Sequence, residues 1–378
     1  MNDVLNITKT AELSAPDEHL DGRINVIGLS QDALKGYLAS HEVEPFRAKQ
    51  LWHWLYVRGE TDFAKMDNIA KAMRATLAEH FVIERAEVKE DQLSTDGTRK
   101  WLFQYGGQEV ETVFIPEEDR GTLCISSQVG CTLACTFCHT GTQRLVRNLN
   151  AAEIIGQLLS ARDLLGEWGL PTTERIVSNI VFMGMGEPLF NYEHVAEACR
   201  RLIDPAGIGL SRRKVTISTS GVVPKMNQMT DELGVNLAIS LHAARDDLRN
   251  EIVPINRKYP LAELKKAMHY FIEKHPSQRI LIEYVMLKGV NDSDADAHDM
   301  AALLKGLPVK INLIPFNPWP ASPYECSSGN RIHAFAKVLQ GYKLSTPIRK
   351  TRGQDILAAC GQLKSASELK KGQRVKLK

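Results

Sequence analysis

No run of about 18 consecutive apolar residues occurs in the chain, so no membrane-spanning helix is read from it. The first residues, MNDVLNITKTAELSAPDEHLDG, lack the charged-then-apolar order of a secretory signal, and 1–22 reads as a disordered leader. Internal repeats and low-complexity tracts are absent, which removes repeat architectures. Excess charge is scarce: 47 Lys and Arg stand against 45 Asp and Glu, a formal net of +2. That balance marks no polycation and leaves room only for a local basic face. Cysteine is scarce too. Seven in 378 residues, odd in number and unevenly clustered, do not make a secreted disulfide scaffold. They point to a reducing cytoplasm, where cysteines serve as ligands, catalysts or core.

What is present is length and pattern. With 378 residues at 43% hydrophobic composition, the chain can bury one large domain and a smaller one. Residues 23–90 form the smaller. SQDALKGYLASH and FRAKQLWHWLYVRG repeat apolar residues at helical spacing. LSTDGTRKWLFQY then predicts a hairpin turning at Asp96-Gly97, within a linking β-region over 91–120. From 121 to 363 strands and helices alternate. TLCISS, SNIVFMG, KVTISTS, VNLAISLH, RILIEYVML and KINLIP are separated by amphipathic helices. Such alternation predicts a parallel sheet with right-handed crossovers. Six βα units are too few for a closed eight-stranded barrel. The expected fold is therefore an α/β partial (β/α)6 barrel with a small N-terminal helical domain and a β-hairpin extension. Its ligands belong at the carboxyl ends of the strands. Residues 364–378 read as a basic tail.

Within CTLACTFCHT, Cys131, Cys135 and Cys138 follow the first of these strands, which places them at that end. Structural zinc asks for four protein ligands, and His139 is too close to Cys138 to be the fourth. An iron–sulfur cube held by three thiolates leaves one iron open for another ligand. The spacing favours such a cluster, with zinc and unrelated core cysteines as the alternatives.

The C-x3-C-x2-C spacing resembles that of radical S-adenosylmethionine (SAM) enzymes. The resemblance narrows with SSQVGCTLACTFCHTGTQ, FMGMGEPLFN, VTISTSGVVP, AISLHA, EIVPINRKYP, IEYVMLKGVND, INLIPFNP and RKTRGQDILAACGQL. These blocks, in this order over about 23–363, are similar to those of the RlmN family, RNA methyltransferases that act on carbon 2 of adenosine. His139 departs from the small residue many members carry there.

The resemblance implies a 4Fe–4S cluster on Cys131, Cys135 and Cys138, and two SAM molecules per turnover. It implies SAM contacts from Gly186 and Glu187 of GMGEP, Ser218, Ser240–Leu241–His242 of SLH, and Asn317. It implies that Cys360 first receives a methyl group and then bridges to the base as a methylene, that Cys124 resolves this adduct through a transient disulfide, and that Glu111 takes the carbon-2 proton. Such chemistry suits an electron-poor aromatic carbon, for which the cofactor carries the difficult step. Without the resemblance, Cys360 and Cys124 are ordinary core cysteines, Glu111 a solvated strand residue and His242 a structural histidine. Cys199 and Cys326 match no motif. The implied partners are 23S rRNA in its peptidyl-transferase region, tRNA at the adenosine 3′ to the anticodon, and an electron donor such as flavodoxin or ferredoxin. The chain is expected to act as a cytoplasmic monomer.

The basic segments SRRK at 211–214, RKTR at 349–352 and KKGQRVKLK in the tail, with the N-terminal helices, are candidates for a phosphate-tracking surface. Two alternatives share parts of this reading. A Cfr-like enzyme would methylate carbon 8 with the same cysteines. A non-catalytic RNA-binding protein with a structural metal would leave Cys360 unexplained.

Overall fold

The computed structural model describes residues 22–367, apart from positions 41, 42 and 45. The expected leader and basic tail therefore lie outside the described residues, but for Gly22 and 364–367. The N-terminal segment contains β1 (Ile24–Asn25), α1 (Gln31–Ser40), α2 (Arg47–His53), α3 (Lys71–His80) and β2 (Phe81–Val82). β1 and β2 pair in parallel. Four antiparallel strands follow: β3 (Glu87–Leu93), β4 (Arg99–Tyr105), β5 (Gln108–Glu117) and β6 (Arg120–Cys124). The β3–β4 turn is the predicted one, with Gly97 at φ +85°. Between the short antiparallel pair β7 (Gln128–Val129) and β8 (Arg147–Asn148) runs the loop of the three cysteines.

The alternating part then unrolls as α4 (Ala151–Leu165), β9 (Asn179–Phe182), α5 (Tyr192–Ile203), β10 (Val215–Thr219), α6 (Val223–Glu232), β11 (Asn236–Ser240), α7 (Asp246–Ile252), α8 (Leu261–Lys274), β12 (Ile280–Met286), α9 (Asp294–Leu304), β13 (Val309–Pro315) and α10 (Gly329–Gly341). Strands β6 and β9 to β13 are parallel neighbours in chain order. These are the six expected units, opened as a partial barrel. Helices cover the sheet, so β10 is buried at every position and β12 at all but one. Local sequence starts the helices. Asn150 and Glu153 form a capping box on α4, and Ser293 and Asp296 another on α9. Three antiparallel strands, β5, β4 and β3, extend the same sheet beyond β6, giving nine strands in all.

The N-terminal segment is not a separate body. Trp52, Tyr56 and Leu55 belong to the same apolar core as Ile155 of α4 and Leu202 of α5. Trp52 Nε1 donates to Asp204 at 2.8 Å, and Arg201 donates to the carbonyls of Ile27 and Gly28 at 2.6 and 2.9 Å. A second, smaller core lies at the carboxyl ends of the strands. It contains Leu133, Phe137, Ile252, Val285, Phe316 and Trp319, and Cys131, Cys135 and Cys138 pack against it.

Candidate active site

A cleft opens at the carboxyl ends of the parallel strands. Its lining includes Cys131, Cys135, Cys138, Gly186, Glu187, Ser218, Ser240, His242 and Cys360. Thus nine of the residues singled out in the sequence meet in one place, although they span more than half the chain.

Each is set there by its strand. Gly186 follows β9 with φ +98°, and a Cβ there would stand 2.5 Å from Gln128 Cβ. Only glycine brings the backbone this close to β7. Glu187 is buried, which pushes its carboxyl up. N–H groups of Ser220 and Leu189, at 2.8 and 3.1 Å, oppose that rise. Ser218 and Ser240, at the ends of β10 and β11, share a 3.4 Å hydroxyl contact. His242 adopts φ +59°, and its Nδ1 accepts the N–H of Val285 at 3.1 Å. Burial, aided by Arg249, drives its imidazole down to about 3, so the ring stays neutral.

Four residues fall outside the lining. Leu241 is fully buried, its N–H donating to the Glu283 carbonyl and its carbonyl accepting from Arg249. Asn317 grips the segment behind the cleft, donating to the Cys360 carbonyl at 3.3 Å and accepting from Thr351 at 3.1 Å. Cys124 ends β6. Burial raises its thiol to about 12, and the charge of nearby Cys360 adds to the rise. Glu111 is buried on β5 and paired with Lys100 of β4 at 2.8 Å, and it accepts the Lys364 N–H at 2.7 Å. Burial raises its carboxyl, and the Lys100 ammonium opposes the rise.

All seven cysteines are free, so no disulfide joins Cys124 to Cys360 in this structure. Cys360 is exposed toward solvent while crowded by the cleft walls. Those walls raise its thiol, and Arg349 works the other way. Cys199 is buried in the core, as expected, and Cys326 is half-buried.

Sequence reasoning missed Glu283, Arg249 and Lys100. Glu283 lines the cleft from β12, and its Oε1 accepts from Asn312 at 2.8 Å. A single carboxylate in the apolar run LIEYVML was the available signal. Arg249 is fully buried and donates to the carbonyls of Leu241, Ser220 and Ser240, tying the ends of β10 and β11 together. Its helix position gave no such sign. The basic segments also divide. SRRK precedes β10 and so lies at the amino end of the sheet, opposite the cleft. RKTR follows β13 on the cleft side, where Arg349 N–H bonds to the Leu313 carbonyl.

Comparison with known proteins identifies this arrangement. Residues 125–301 match the radical SAM superfamily, and residues 24–83 match the ribosomal RNA large subunit methyltransferase N-terminal domain. A dual-specificity RNA methyltransferase RlmN of Acidiphilium cryptum is 58% identical over 95% of this chain and 94% of its own length. The chain belongs to the RlmN family. The RlmN of Gluconobacter oxydans is 56% identical over 95% of this chain and 90% of its own. A radical SAM methyltransferase structure from Sphaerobacter thermophilus superposes with a TM-score of 0.84 at 41% identity, covering 89% of this chain and 98% of that one.

As radical SAM proteins, members of the RlmN family use a 4Fe–4S cluster and SAM. The donor set here suits that pair. Three thiols from one loop line the cleft together, as a cluster with an open iron requires. Among the described residues, no three His, Cys, Asp or Glu side chains close on a single ion.

Proposed function

We propose that this chain methylates carbon 2 of adenosine in 23S rRNA and tRNA, with Cys360 as the methyl carrier. The observation that carries this is the meeting of Cys131, Cys135, Cys138 and exposed Cys360 on one cleft, in a chain of the RlmN family. Cys131, Cys135 and Cys138 hold the cluster. Gly186, Glu187, Ser218, Ser240 and His242, with Leu241 and Asn317 next to them, would hold SAM. When bound, the cluster and SAM supply a methyl group and a one-electron route to a carbon radical.

The chain's own residues do the rest. Cys360 presents its sulfur to the cleft, gives up its thiol proton as it accepts the methyl group, and later links to adenine carbon 2 as a methylene bridge, the hydrogen atom and the electron lost on the way being taken up by the one-electron route that SAM and the cluster would supply. Glu111 accepts the carbon-2 proton. Its raised carboxyl strengthens it as a base once it is ionised. The Lys364 N–H bonds to its Oε2, which ties the base to the segment that carries Cys360. The Cys124 thiolate then attacks the sulfur of Cys360; the bond from that sulfur to the methylene carbon breaks, the carbon keeps the electron pair and takes a proton to become the methyl group, and the two sulfurs leave as a disulfide to be reduced again. Such a bond would be transient, in keeping with the free thiols of the resting protein.

The chain acts as a cytoplasmic monomer, with flavodoxin or ferredoxin as electron donor. Among the described residues no helix is long and apolar enough to cross a membrane. Mass spectrometry of 23S rRNA and tRNA from a deletion strain tests the reading. Both RNAs should lack 2-methyladenosine and regain it with the wild-type chain but not with Cys360→Ala. Restoration by Cys360→Ala, or a methyl group on carbon 8, overturns it.

A further inference from the structure

The segment carrying Cys360 is held along its length. Upstream, the β3–β4 turn grips it. Asp96 Oδ2 accepts the Gly353 N–H at 3.0 Å, and Ser94 Oγ donates to Asp355 at 2.6 Å. Downstream, the loop of the three cysteines runs beside it. His139 N–H bonds to the Gly361 carbonyl at 2.7 Å, and Thr140 Oγ donates to the Leu363 carbonyl at 2.5 Å. Gln143 Nε2 donates to the Ser367 carbonyl at 2.7 Å and to Ser365 Oγ at 3.1 Å. Ser367 Oγ in turn accepts the Glu109 N–H of β5 at 2.7 Å.

Gln143 stands out in this set. It is buried, and its carbonyl accepts the Cys131 N–H at 3.2 Å, which closes the three-cysteine loop on itself. Its side chain spends both N–H donors on the Cys360 segment. It does not line the cleft, so it touches neither the cofactors' space nor the base. Leucine would fill the same volume without donors. Glutamate would turn an acceptor toward two acceptors.

We propose that Gln143 is a positioning residue for Cys360, coupling the loop that holds the cluster to the segment that presents the methyl-carrying sulfur. This rests on the reading of Cys360 as carrier. Without the two bonds the loop keeps its thiols, but the segment 361–367 opens, and radicals form without a well-placed partner.

The test uses the full-length chain with Gln143→Leu. Two readouts are taken: deoxyadenosine formed per methylated adenosine in the loaded enzyme, and amide exchange over 361–367 in the cluster-free chain. Losing two buried hydrogen bonds should quicken that exchange about tenfold, equivalent to about 1.4 kcal/mol. Iron content and deoxyadenosine formation should persist, while methylated RNA per deoxyadenosine falls about tenfold. Unchanged exchange and coupling overturn the proposal. So does loss of iron with unchanged exchange, which would assign Gln143 to the cluster loop alone. If Gln143→Leu does not fold, Ser365→Ala removes one of the bonds from the other side, and about a threefold change in the same readouts is expected. Methylation by Cys360→Ala would refute the carrier reading while leaving the exchange result to stand or fall separately.

Discussion

At the scale of single residues, two pairs decide the chemistry. Cys124 lies close enough to Cys360 for their charges to interact, and both thiols are held in the protonated range by burial. If Cys124 resolves the adduct, its loss traps the enzyme on its substrate. Cys124→Ala should accumulate a protein–RNA adduct that survives denaturing electrophoresis and disappears with ribonuclease. The double variant with Cys360→Ala should show none, since the bridging sulfur is gone. Free Cys124→Ala protein that still releases methylated RNA would make Cys124 a core residue. The second pair is Glu111 with Lys100. A carboxyl raised in the folded state binds its proton more tightly there than when unfolded. Stability therefore falls as pH rises from about 4.5 through the folded value. Lys100→Met removes the opposing ammonium, so that decline should extend to higher pH. Where Glu111 remains ionised the loss should reach about 3–5 kcal/mol, shrinking toward pH 4.5. Urea midpoints measured across pH 4–8 check the sign. The acid limb of methylation should move upward in the same variant.

At the scale of elements, the β3–β4 hairpin has a structural task beyond extending the sheet. Trp101 and Phe103 anchor it in the core, stacked at 6.0 Å, while its turn reaches the segment before Cys360. Burial works to raise the Asp96 carboxyl, but hydrogen bonds from Thr98 and Gly353 prevail and bring it to about 2. A depressed carboxyl stabilises the fold above its unfolded value, and that contribution is lost as pH falls from 3.8 toward 2. Asp96→Ala should free the Gly353 N–H. Hydrogen exchange there should quicken by about fivefold at neutral pH, the effect of one lost hydrogen bond. Equal exchange in variant and wild type would show that the turn does not hold the segment.

At the scale of the whole molecule, the N-terminal helices share their core with α4 and α5. A chain beginning near residue 105 would lose Trp52 and Tyr56 and uncover the α4 and α5 surface they pack on. RNA binding by this region is better tested by charge. Lys49 and Lys71 are exposed on it. Replacing both with alanine should weaken RNA affinity and reduce its salt slope by about 0.7–0.9 for each phosphate no longer neutralised. SAM cleavage should be untouched. An unchanged slope in filter-binding titrations would place the RNA elsewhere.

Much of this protein was settled by sequence alone, for physical reasons that are local. Strand and helix periods, capping residues and the Asp96-Gly97 turn depend on near neighbours, so six parallel strands and the hairpin were legible. The three cysteines were legible as a group because their spacing falls within one loop. Tertiary structure decided the rest. It set Lys100 against Glu111 across two strands, tied the ends of β10 and β11 together through Arg249, and put Glu283 into the cleft. It moved Asn317 behind the Cys360 segment and carried SRRK to the far end of the sheet. Each of these depends on contacts between residues distant in sequence, where burial and partner choice are fixed by packing and no local pattern records them.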